Sequence, residues 1–95
     1  MFIWWSTPAT RQLAAAYEYI AADNESAATE VVNHIWDSVN ILARHPYAGR
    51  KGRVAGTREL VIRGTPFIVA YKLQKNEVRI LAVFHAAREW PEEFE

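Results

Sequence analysis

The chain has 95 residues, 51% of them hydrophobic and 13% aromatic with four tryptophans, which makes one domain and excludes a disordered protein. It has no cysteine, which excludes a disulfide framework and a thiolate metal site and suits a reducing cytosol. Its formal net charge of zero is segregated. Residues 1–37 carry Arg11 against five carboxylates, residues 38–88 carry ten cations against Glu59 and Glu77, and residues 89–95 carry four carboxylates. Such a basic half can meet a polyanion or an acidic partner, unless the charges intermix on folding. The aromatic excess has two readings, a dense core or a surface that a partner buries.

The opening Phe2-Ile3-Trp4-Trp5 is short and apolar and reads as a strand. It has no basic flank of the kind a secretory signal carries, and no apolar run in the chain approaches the roughly 20 residues of a membrane span. Ser6-Thr7-Pro8 then supplies an N-cap hydroxyl and a proline where a missing N–H costs nothing. Leu13, Ala16, Tyr17, Ile20 and Ala21 recur at helical spacing, so a first helix is expected to run to about Ala22 and to end at Asp23-Asn24. A second starts at Asn24 to Ser26, marked by Ala28, Val31, Val32, Ile35, Val39, Leu42 and Ala43, and stops before His45-Pro46. The short connection makes the pair an antiparallel hairpin.

Residues 45–57, HPYAGRKGRVAGT, read as a loop with three of the four glycines and no acid. Three β-rich runs follow, at residues 59–63, 67–74 and 78–84, separated by Gly64-Thr65-Pro66 and Lys75-Asn76. The middle run, FIVAYKL, is apolar almost throughout and is expected at the centre of the sheet, covered on both faces. The order is β-α-α-β-β-β. It implies an α+β domain, residues 1–95, with a helical hairpin on one face of a four-stranded antiparallel sheet and a half-open second face.

The pattern resembles the RelE/ParE superfamily, toxins of bacterial type II toxin–antitoxin modules. The residues that carry the resemblance begin with STPA at Ser6 to Ala9 and AYEYIAADN at the end of the first helix. They continue with HPYAGR at His45 to Arg50, then GTREL, GTPFIVAYKL and the strand end VRILAVFHAAREWP. The likeness spans almost the whole chain and is greatest to the ParE-like, or plasmid stabilisation, branch. It implies a cytoplasmic, growth-inhibiting toxin with no cofactor. A cognate antitoxin would wrap its C-terminal segment over the toxin, and operator DNA would be reached only through that antitoxin. Candidate antitoxin contacts are Trp4, Trp5, Tyr17, Trp36 and Tyr71.

Two targets are open. For ParE-like proteins the implied partner is DNA gyrase; for RelE-like members it is mRNA on the ribosome, cut as an mRNA interferase. RNA cleavage needs a base, an acid and cations on the phosphorane. The catalytic candidates for it are His85, Arg88 and Arg58. Against it, Ile68 stands where the RelE pattern has an arginine, and Phe94 stands where it has a tyrosine. His85 has a second reading, a histidine that bonds backbone and closes the strand. A third possibility is a non-toxic member of an autorepressing complex.

Target binding falls to Arg50, Lys51, Arg53, Arg63, Lys72, Arg79 and Arg88, which suit RNA phosphates or an acidic protein equally. Arg58 and Glu59 point to opposite faces of a strand. A buried Arg58 would need a carboxylate, for which Glu18 and Glu59 are candidates. His34, His45 and His85 lack metal-ligand spacing, so no metal is expected.

Overall fold

The computed structural model describes residues 1–87. Strand β1 is Phe2–Trp5, helix α1 Thr7–Ala21 and helix α2 Glu25–Ile41. Then come β2 (Arg50–Lys51), β3 (Arg58–Val61), β4 (Phe67–Gln74) and β5 (Glu77–His85). The elements match the expected α+β order with two differences. The loop after α2 contains the two-residue strand β2, and β1 pairs with β5 in parallel. The sheet is therefore five-stranded and mixed, ordered β1-β5-β4-β3-β2, rather than four-stranded and antiparallel. The two paired strands are separated in the chain by the helical hairpin and three other strands, so no tight hairpin forces them to run antiparallel.

Local signals start both helices where they were expected. Ser6 caps α1 by accepting the Ala9 N–H, and Asn24 caps α2 by accepting the Ala27 N–H. Ser6 also ties α1 to the sheet, because its hydroxyl donates to the Leu81 carbonyl and its N–H to that of Ile80. Leu81 is the extra residue of a bulge, since Ala70 pairs with Ala82 while Tyr71 pairs with Ile80. Just beyond it, the Val83 N–H donates to Gln12 Oε1 of α1. Helix side chains thus satisfy the peptide groups around the bulge.

Alternation along β4 and β5 divides the sheet into two layers. Phe67, Val69, Tyr71, Val78, Ile80 and Val83 pack with Ile35, Val39 and Leu42 beneath the helices. Ile68, Ala70, Ala82 and Phe84 form a second apolar cluster on the other face. The central strand is covered on both faces, as its composition implies. The second face is less open than expected: its middle is buried, and its exposed apolar residues lie toward the two edges, Phe2 and Trp4 on β1 and Val61 on β3.

Candidate functional site

The segment after α2 is fastened to the sheet by Tyr71 and Glu59. Tyr71 is fully buried; its hydroxyl donates to the Pro46 carbonyl at 2.8 Å and accepts the Gly49 N–H at 2.9 Å. Burial holds this phenol above its ordinary pKa of 10.0, against the opposing pull of the Gly49 N–H and the Arg58 charge. A Cβ on Gly49 would lie 2.6 Å from the Tyr71 hydroxyl, so glycine is what allows the loop so close. Glu59, only 4% exposed, takes Arg50 Nη2 at 3.2 Å and the Arg53 N–H at 3.1 Å. Arg58 donates to the Gly49 carbonyl and lies over the Tyr47 ring, 4.8 Å from its centroid.

This corrects two expectations. The buried charge of the Arg58–Glu59 pair is the carboxylate; its partner is Arg50, while Arg58 uses a carbonyl and an aromatic ring. Neither Glu18 nor Glu59 serves Arg58. Tyr71, proposed as an antitoxin contact, has no exposed surface and both its hydrogen bonds run inward, so it supports the loop instead.

The expected cationic face separates into two groups, one at the β2–β3 edge and one on β4 and β5. Arg50, Lys51, Arg53 and Arg63 lie along β2, β3 and their flanks. Lys72 and Arg79 are neighbours in register near β1, on the face away from the helices. Arg79 lies over the Trp4 ring at 4.0 Å, with Gln74 Oε1 and Glu77 Oε2 also in reach at 3.3 and 3.8 Å. Arg88 lies outside the described residues, as does the acidic tail.

Of the catalytic candidates, Arg58 is committed to the loop. His85 sits edge-on to Phe67 and accepts the Ala87 N–H at Nδ1, which is the strand-closing role. Ile68 is 4% exposed, within the apolar cluster. Among the described residues no cluster of three possible metal ligands occurs.

Three of the aromatic candidates, Trp4, Trp5 and Trp36, gather around β1. Trp36 of α2, half exposed, stacks on Trp5 with centroids 5.7 Å apart and planes at 16°. Trp4 is 43% exposed, and Tyr17 is partly buried on α1. Sequence reasoning missed the groove at the opposite edge. There His34, Ser38 and Ile41 of α2 face Ala48, Leu60, Val61 and Arg63 around about 230 Å³. Its only signal in the sequence was that Ile41 and Val61 are apolar residues off the core periodicity.

This hairpin on a mixed sheet is the RelE/ParE-like architecture, a fold of small toxins. The family model described as "ParE toxin of type II toxin-antitoxin system, parDE" matches residues 3–90. A curated relative from Sinorhizobium fredii (strain NBRC 101917 / NGR234), "Putative toxin Y4kP", is 41% identical over 88 residues, covering 93% of this chain and 91% of its own. A solved structure, "Chromosomal ParDE TA system from P. aeruginosa", superposes with a TM-score of 0.80 at 27% identity, covering 90% of this chain and 95% of that one. The chain belongs to the ParE toxin family of type II toxin–antitoxin systems. Among the described residues no helix is long and apolar enough to cross a membrane.

Proposed function

We propose that the protein arrests growth in the cytoplasm by binding DNA gyrase, and that a cognate antitoxin neutralises it by covering the toxin. The observation that carries the non-enzymatic reading is Ile68. At the sheet position where a ribonuclease of this superfamily would place a cation, an apolar side chain is buried among Ala70, Ala82 and Phe84. A phosphorane there would meet no positive charge. Arg58 and His85 are engaged in structural contacts, which further weakens a base-and-acid pair. The antitoxin is supported by the likeness to a solved ParDE system and by the exposed aromatics Trp4 and Trp36 beside β1.

The second reading is an mRNA interferase. Lys72 and Arg79, side by side next to Trp4, favour it as a cation-and-aromatic patch suited to RNA. Supercoiling by gyrase, assayed with folded, antitoxin-free protein, separates the readings. Inhibition or trapped cleaved DNA at near-stoichiometric protein is expected, with His85→Ala still toxic in cells. A protein that arrests growth, spares gyrase, cuts messages on ribosomes and is disarmed by His85→Ala would be an interferase. A protein harmless when made alone would leave only the autorepressing role.

A further inference from the structure

The outer edge of β3 is half covered. Ile62 donates to Phe67, so Arg58, Leu60 and Ile62 direct their peptide groups toward β4, while Glu59 and Val61 direct theirs outward. Glu59 is met by Arg50 of β2. The next outward position, Val61, would face Ala48, but there the chain has already turned away: the Ala48 N–H bonds the His45 carbonyl and Gly49 is held by Tyr71. Val61 is 44% exposed, and among the described residues no strand lies beyond it. An uncovered stretch of edge beside an apolar groove is a template for another strand.

We propose that an extended, acidic segment of the antitoxin adds as a strand at Val61. It would place one aliphatic side chain in the groove between Ile41 and Leu60, and a carboxylate on Arg63. This rests on the antitoxin reading above and gives it a second, distant contact. Trp36 is two positions from both His34 and Ser38, and so lies on the opposite side of α2 from the groove.

Three observations select this occupant. The groove, at about 230 Å³, falls below the roughly 300–1,000 Å³ of small-molecule pockets, which suits a side chain. Its lining contains no carboxylate, and residues 50–63 hold five cations against Glu59, whose charge Arg50 already answers. Those same cations would repel a second copy of this edge, which argues against self-pairing.

The test uses the full chain purified in complex with its cognate antitoxin. In hydrogen exchange, the Val61 amide should be fast in the free toxin and slow in the complex, with the Leu60 amide slow in both. Val61→Pro removes that outward donor at an edge position where proline is tolerated. It should weaken antitoxin binding about tenfold, the worth of roughly one hydrogen bond, with thermal stability kept. Arg63→Glu changes only an exposed side chain and should weaken binding by a similar factor, lowering its salt dependence.

An unprotected Val61 amide and wild-type affinity in both variants would overturn the proposal. A concentration-dependent dimer of free toxin, broken by Val61→Pro, would overturn it in favour of self-pairing. Rescue of growth by the antitoxin is scored separately. Its persistence while Val61 proves irrelevant would leave the antitoxin reading standing and remove only this edge contact.

Discussion

At one end of the sheet, β1 lies along the full start of β5 and is guarded by large side chains: Trp36 stacks on Trp5, and Arg79 covers one face of Trp4. At the other end, two residues of β2 cover half of β3, and polar groups do the fastening, through Tyr71 and Glu59. The difference is one of physics as well as geometry. The first edge is held by apolar area and ring stacking, which pH and salt hardly touch. The second is held by a few buried hydrogen bonds, each costly to leave unmade, and so is sensitive to single-atom changes.

The largest expected effect tests the shared foundation. Ile80 is fully buried and pairs with Trp5 in register, so Ile80→Ala should cost about 2–5 kcal/mol, read by denaturant unfolding, and loosen β1 first.

Tyr71→Phe comes next and acts on the other edge. It orphans the Gly49 N–H and the Pro46 carbonyl, so a loss of about 1–3 kcal/mol is expected, with faster exchange confined to residues 45–51. The same substitution changes the alkaline limb. The folded phenol holds its proton above its ordinary pKa, whereas the unfolded chain releases it near 10.0. The unfolded state therefore binds fewer protons above that pH. Tyr71 contributes stability that is complete below about pH 10 and is lost as pH rises through the folded pKa. The gap between wild type and Tyr71→Phe should narrow across that window; a constant gap would mean the phenol is not desolvated.

Trp36→Ala should remove about 0.5–1.5 kcal/mol of stacking beyond its area burial, together with the near-ultraviolet signature of the coupled indoles. Arg79→Gln should be the mildest, about 0.5–1 kcal/mol from the lost contact with Trp4. If Arg79→Gln proved costlier than Tyr71→Phe, the contrast between the two edges would be reversed.

Most of the fold was legible because its signals are local. Ser6-Thr7-Pro8 and Asn24 cap helices wherever they occur, and FIVAYKL can be soluble only when buried on both faces. The site was less legible. The cations of residues 50–79 read as one set along the chain, but the sheet places Arg50 and Arg63 at one edge and Lys72 and Arg79 nearer the other. Tyr71 read as a surface aromatic because its acceptor, Pro46, and its donor, Gly49, are more than 20 residues away.

Taken alone, the amino-acid sequence determined the two helices and the four longer strands, their order, the two-sided burial of β4 and the likeness to toxins of the RelE/ParE kind. These depend on residue type and on spacings of a few positions. Only the tertiary structure decided that β1 runs parallel to β5, that Glu59 rather than Arg58 is the buried charge, and that the ladder along β3 stops at Val61. Each of these depends on which distant segment supplies the partner of a given peptide group or charge, and that is settled only when the sheet assembles.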